Sequence, residues 1–199
     1  MDKSPDNTHP DFWTTRYASG RTPWDFGGVP AALKSFLTSS SAGGRVLIPG
    51  CGSGYEVQAF DAAGYDVTAL DFSLAAVNQA KKVLSGLAER VILGDFFTYE
   101  FEHHRFDLIY ERTFLCSMPP ARWPVYVNRT ADLLSSRGRL IGVFLYAQQA
   151  AQGPPYPLTD MQAEQLFQRH FRLVRSELMT DSLPLFRGME RWQEWLKTI

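Results

Sequence analysis

The ten residues Val46-Leu47-Ile48-Pro49-Gly50-Cys51-Gly52-Ser53-Gly54-Tyr55 narrow the possible folds more than any other part of the chain. An apolar, strand-like run enters a turn with three alternating glycines and leaves it as a helix-like segment. Glycines at these points let the main chain come close to a ligand, because a Cβ would fill the ligand's space or forbid the backbone angles. A second strand-like run ends in Ala69-Leu70-Asp71-Phe72-Ser73. This places a carboxylate about 20 residues past the glycines, where open α/β sheets grip ribose hydroxyls. Asp71 also reads as a helix N-cap for the segment from Leu74, a role that Ser73 fills equally well.

From Arg45 onward, short β-rich runs alternate with helix-like stretches, the mark of parallel βαβ units. Strands are expected at Arg45–Pro49, Asp66–Leu70, Arg90–Leu93, Phe106–Tyr110, Arg139–Phe144 and Phe171–Glu177. Helices are expected at Tyr55–Ala63, Leu74–Leu84, Arg122–Leu134 and Thr159–Arg169, the second with Leu74, Val77, the Lys81 stem and Leu84 on its apolar face. Gly188–Ile199, with Trp192 and Trp195, reads as a final strand, and Thr38–Gly44 as a flexible loop. One domain is expected, with residues 1–44 as an N-terminal lid and first helix and 45–199 as a doubly wound core. Gly20, Pro23, Gly27, Gly28 and Pro30 keep the N-terminal segment from forming one long helix.

Of the 199 residues, 45% are hydrophobic, enough for one sizeable core. The net charge of −1 offers no excess of positive charge for a polyanion, which argues against nucleic acid as a partner. Cys51 and Cys116 are the only cysteines, too few for a disulfide framework and not spaced as a metal cluster, so no metal is expected and a cytoplasmic setting is. The residues from Met1 to Pro10 lack the pattern of a secretion signal, and no apolar run has membrane length.

A nicotinamide-dependent dehydrogenase also uses a strand, glycine turn, helix and acid, but its Gly-x-Gly-x-x-Gly spacing is missing because Tyr55 follows Gly54. The third strand ends Leu93-Gly94-Asp95-Phe96-Phe97, giving an acid and an aromatic surface suited to an adenine ring. The fourth, Phe106-Asp107-Leu108-Ile109-Tyr110, runs into Glu111-Arg112-Thr113-Phe114, so polar residues again gather at a carboxyl end. Nucleic-acid amino-methyltransferases carry an Asn- or Asp-Pro-Pro-aromatic motif directly after that strand. Here the place is taken by Tyr110-Glu111-Arg112-Thr113, and Pro154-Pro155-Tyr156 follows the fifth strand instead.

Taken together, these stretches resemble the thiopurine methyltransferase-like family, which includes thiol and halide methyltransferases. The resemblance rests on Phe12-Trp13, Thr22-Pro23-Trp24-Asp25, "VLIPGCGSGY", "ALDFS", "GDFF", "FDLIYERTFLC" and Gly153-Pro154-Pro155-Tyr156. It implies a Rossmann-like class I methyltransferase sheet, mostly parallel with an antiparallel last strand, and S-adenosylmethionine as methyl donor. It further implies Gly50, Gly52 and Gly54 at the methionine part of the cofactor, Asp71 with Phe72 beside it at the ribose, and Asp95 and Phe96 at the adenine. Glu111 to Phe114 would lie on the cofactor's outer side, and Trp13 and Trp24 would close over it.

A methyl group on a positively charged sulfur needs little acid–base machinery to be transferred; alignment and exclusion of water matter more. None of His9, His103, His104 and His170 closes a core strand, and His103 and His104 read as a solvated turn. If a thiol methyl acceptor needs activation, Arg112, Tyr146 and Tyr156 are the candidate residues. The expected substrate is a small, soft nucleophile and the expected state a monomer or weak dimer.

Overall fold

The computed structural model describes residues 6–40, 43–102 and 105–198. His103 and His104, like Ser41 of the expected 38–44 loop, lie outside them. Seven strands form one sheet: β1 (Arg45–Pro49), β2 (Asp66–Asp71), β3 (Val91–Leu93), β4 (Phe106–Arg112), β5 (Leu134–Leu145), β6 (Phe171–Leu178) and β7 (Glu190–Lys197). Their order is β3-β2-β1-β4-β5-β7-β6. β1 to β5 pair in parallel, and β7 runs antiparallel to both β5 and β6. The connections therefore step outward from β1 in one direction and then, at β4, in the other. That reversal opens a crevice beyond the carboxyl ends of β1 and β4.

The central strands are apolar on both faces because helices cover both. Leu47, Ile109 and Leu140 join the core shared with α5 (Trp123–Leu133) and α6 (Asp160–Phe167). Val46, Ile48, Leu108 and Ile141 face the core shared with α2 (Ala31–Ser39), α3 (Tyr55–Ala62) and α4 (Leu74–Val83). Ser73 caps α4, its Oγ accepting the Ala76 N–H at 3.3 Å. Thr159 and Gln162 form a reciprocal capping box at α6.

Three expectations are corrected. The buried stripe of α4 is Ala76, Val77 and Ala80, continuing from the buried Ser73 cap to Leu84, while Leu74 is 53% exposed. Leu74 lies one residue, about 100° of helical turn, off that stripe. β5 begins at Leu134 rather than Arg139, pairing Leu134 with Phe106 across an irregularity; polar Ser135 to Arg137 hide this start from any hydrophobic pattern. α2 extends to Ser39, so the expected loop starts later than Thr38. Ahead of α2, the described residues of the N-terminal segment contain one short helix, α1 (Pro10–Ala18), with proline in its first turn and Gly20 at φ +66° just beyond its end.

Candidate active site

A cleft of about 690 Å³ occupies the crevice, a size ordinary for small-molecule sites, which span roughly 300–1,000 Å³. Its floor is the glycine turn. Gly50 and Gly52 hold φ values of +60° and +53°. A Cβ on Gly50 would stand 2.3 Å from the Phe114 ring, and one on Gly52 would stand 2.5 Å from the Tyr17 hydroxyl. Gly54, also left-handed at φ +74°, is not on the cleft wall. Its Cβ would meet Leu84 Cδ1 at 3.0 Å and Ala80 Cβ at 3.1 Å, so this glycine lets α3 and α4 approach each other.

Asp71 ends β2 against this floor. Its Oδ2 accepts the Gly52 N–H at 3.0 Å and its Oδ1 the Ser73 N–H at 2.9 Å. The carboxylate thus ties the second strand to the glycine turn, while Ser73 does the capping. Burial raises its pKa to about 6, against the lowering effect of the Ser73, Gly52 and Phe72 N–H groups. Phe72, Asp95 and Phe96 continue the wall. Asp95 Oδ1 accepts the Phe97 N–H at 2.9 Å, and the Phe96 ring meets Phe114 edge-on at 5.6 Å.

The N-terminal segment forms the roof. Trp13 and Trp24 meet edge-on at 5.3 Å, and Trp24 Nε1 donates to the Tyr17 hydroxyl at 3.3 Å. Three ties anchor this roof to the core: Asn7 Nδ2 donates to Ser117 O at 2.6 Å, Thr14 Oγ1 lies 3.0 Å from Ser73 Oγ, and Ser53 Oγ donates to Asp25 Oδ2 at 2.6 Å.

At the other end, Arg112 closes β4 on the cleft wall. Its Nε lies 3.8 Å from Glu56 Oε1 and its Nη1 3.4 Å from Glu190 Oε1, while its guanidinium sits 4.8 Å from the Phe26 ring centroid. Burial raises the Glu56 pKa, and Arg112 pulls it down. Thr113 follows with φ +55°, rare for a β-branched residue.

Glu111, Tyr146 and Tyr156 are not on the cleft wall. Glu111 lies beneath it: Oε1 accepts the Phe114 and Leu115 N–H groups at 2.9 and 3.0 Å, and Oε2 accepts from the Tyr126 hydroxyl at 2.9 Å. Burial lifts its pKa to about 7. It shapes the loop that presents Phe114. Tyr146 donates to Gln193 Oε1 at 3.0 Å, and burial lifts its hydroxyl to about 12. Tyr156 packs on the core below, leaving Gly153, Pro154 and Pro155 on the wall. Neither tyrosine reaches the cleft. Cys51 and Cys116 are free and buried, and burial pushes both thiols up.

Sequence reasoning overlooked Glu56 and Glu190. Glu56 follows the glycine turn in the first turn of α3, where an acid is routinely read as a partner of the helix dipole. Glu190 reaches the site only because β7 is inserted beside β5, which no local pattern reveals. Among the described residues, no group of three or more His, Cys, Asp or Glu side chains is placed to hold a metal, and no helix is long and apolar enough to cross a membrane.

The family model described as thiopurine S-methyltransferase matches residues 8–197. A probable thiol methyltransferase 2 of Arabidopsis thaliana is 32% identical over 195 residues, covering 94% of this chain and 84% of the relative. A thiopurine S-methyltransferase of Vibrio campbellii is 28% identical, covering 79% and 81%. Two solved structures share the fold. The 1,6-didemethyltoxoflavin-N1-methyltransferase of Burkholderia thailandensis, with bound S-adenosylhomocysteine, has a TM-score of 0.76 at 20% identity, covering 96% of this chain and 87% of that one. The magnesium protoporphyrin IX methyltransferase of Synechocystis PCC 6803, with bound S-adenosylmethionine, has a TM-score of 0.75 at 15% identity, covering 100% of both chains.

Proposed function

The chain belongs to the thiopurine S-methyltransferase family and is an S-adenosylmethionine-dependent methyltransferase, and on that premise we propose that its methyl acceptor is a small, soft nucleophile: a thiol, sulfide or related sulfur, halide or metalloid species. The observation that carries this is the apolar part of the cleft wall, which includes Phe26, Phe114, Met118, Pro154, Pro155 and Phe186, with the Arg112 guanidinium on the same wall. A polarizable nucleophile gives up less hydration on entering such surroundings than a hard oxyanion does. The names of the thiol and thiopurine methyltransferase relatives point the same way.

The cleft wall around the glycine turn fits the cofactor. Main chain without Cβ at Gly50 and Gly52 admits close approach, and Asp71, fixed by two N–H groups, retains lone pairs for the ribose hydroxyls. Asp95 and Phe96 are assigned to the adenine, and Trp13 and Trp24 to the roof. When bound, the cofactor supplies a methyl group on a cationic sulfur. The protein's part is to hold the nucleophile in line and to keep water out; the aromatic roof adds about 0.5–2 kcal/mol of attraction where a ring faces the positive charge. Arg112 is the one sequence-derived acceptor residue on the wall, and its role is to orient an electron-rich methyl acceptor. The reading extends to a monomer or weak dimer in the cytoplasm, and sedimentation of the purified chain tests the assembly state.

Turnover of labelled S-adenosylmethionine across thiols, sulfide, thiocyanate, iodide, catechols and tRNA tests the proposal. Sulfur and halide nucleophiles should give the highest kcat/KM. A catechol or tRNA methylated with far higher kcat/KM would overturn it.

A further inference from the structure

Behind the cleft lies a second cavity of about 10 Å³, whose lining includes Glu111, Thr113, Cys116, Tyr156 and Glu190. Thr113 and Cys116 belong to both linings and so form the partition between the two spaces. A cavity of about this size holds one water if 2–4 polar groups converge on it. Glu190, only 2% exposed, has an Oε2 that is buried and without a hydrogen-bond partner, and Thr113 and Cys116 line the same cavity.

Resting on the proposed thiol acceptor, we infer that this small cavity is an internal water site that carries the thiol's proton from the cleft, past Thr113, to Glu190. As the sulfur attacks, the S–H bond breaks and the new S–CH3 bond forms, while the donor's C–S pair returns to its sulfur. The proton enters the water, and the water passes one of its own to Glu190 Oε2; solvent reclaims it after product leaves.

The neighbouring groups leave Glu190 as the destination. Glu111 has both oxygens filled by Phe114, Leu115 and Tyr126. Cys116 donates to Thr113 O at 3.5 Å, and burial keeps it a thiol. Arg112 faces Glu190 from β4 and holds its other oxygen, Oε1; Glu56 lies across the guanidinium from α3. Arg191, next along β7, turns away to Asp160. The strained Thr113 backbone keeps the partition in place between the two spaces.

The test compares methyl acceptors that carry a proton with those that do not. Glu190→Gln preserves shape and the Arg112 contact while removing the base. With a thiol below its pKa, kcat/KM should fall by about tenfold or more, since general-base assistance is commonly about 10²–10⁴. The ratio of thiol to thiocyanate or iodide kcat/KM should fall by about tenfold in the variant, and its thiol deficit relative to those anions should vanish as pH rises above the thiol's pKa. Equal losses for both classes, or none for thiols, would overturn the inference. Apart from activity, a crystal structure of the wild-type protein should show an ordered water on Glu190 Oε2, and a dry cavity would overturn it without any variant. If wild type methylates thiocyanate and iodide but no thiol, the acceptor reading stands and this inference alone fails; if it methylates none of these, the acceptor reading itself fails and takes this inference with it.

Discussion

Replacing Asp71 by asparagine separates what this carboxylate does for folding from what it does for binding. In the folded protein its pKa is raised to about 6 by burial, from an ordinary 3.8. The folded state therefore holds the proton more tightly than the unfolded one. Stability is fullest below pH 4 and falls as pH climbs towards 6, by about 3 kcal/mol at about 1.4 kcal/mol per pH unit. The neutral amide of the variant carries no such cost. Its single oxygen, however, serves only one of the two N–H groups from Gly52 and Ser73, and the other costs about 1–3 kcal/mol when left unpaired. At pH 7 the two effects nearly cancel, leaving the variant within about 2 kcal/mol of wild type. At pH 4 wild type should be ahead, the gap having moved by about 3 kcal/mol. Urea melts across that range measure it. Calorimetry with S-adenosylhomocysteine should show wild-type affinity dropping about tenfold from pH 7 to pH 5 as the carboxylate protonates. The variant should bind at least about tenfold more weakly at pH 7, with no such slope. Wild-type affinity in the variant, or the same pH slope in both proteins, would refute the reasoning.

Gly50→Ala must push the Phe114 ring off the cleft wall and place an L-residue at φ +60°; a loss of about 1–3 kcal/mol in denaturant melts, with weakened S-adenosylhomocysteine binding, is expected. Glu111→Ala leaves two N–H groups and the Tyr126 hydroxyl unpaired and should cost about 3 kcal/mol or more, read as a fall in Tm. Glu111→Gln keeps both N–H groups on its one oxygen but must reverse the third bond, its amide donating to the Tyr126 oxygen; relative to wild type it should gain stability as pH rises towards 7, where the wild-type carboxylate, raised to about 7, ionises at a cost. Amide hydrogen exchange over residues 12–26 should slow on adding S-adenosylhomocysteine; unchanged protection would show that the roof is already as fixed as the core.

The cleft wall around the glycine turn was legible because its residues fall in short runs. Gly50, Gly52, Asp71, Phe72, Asp95 and Phe96 each lie at or just after a strand end, and a strand end in a parallel sheet is a place in the fold as well as in the chain. Gly54 shows the limit of that logic: the same motif supplies a glycine for helix packing, and only the neighbours Ala80 and Leu84 tell the two uses apart. The wall around Arg112 was far less legible. Tyr146 and Tyr156 were chosen for chemical type, but side chains alternate direction along a chain, and both turn inward. Glu56 and Glu190 stand 134 positions apart in the numbering and meet only through Arg112. The β5 start was hidden because Leu134, paired with Phe106, is followed by polar Ser135 to Arg137, which give no alternation of apolar side chains.

The place of β7 between β5 and β6 has a consequence for how the chain is made. During synthesis β1 to β6 emerge first, yet β6 has no sheet partner except β7, and β5 keeps one edge open until residues 190–197 arrive. A nascent chain at that stage exposes an unpaired strand edge of the kind that aggregates or recruits chaperones. The same late strand delivers Glu190 opposite Leu145, so a ribosome-bound intermediate lacks the Glu190 partner of Arg112 as well as the closure of its sheet.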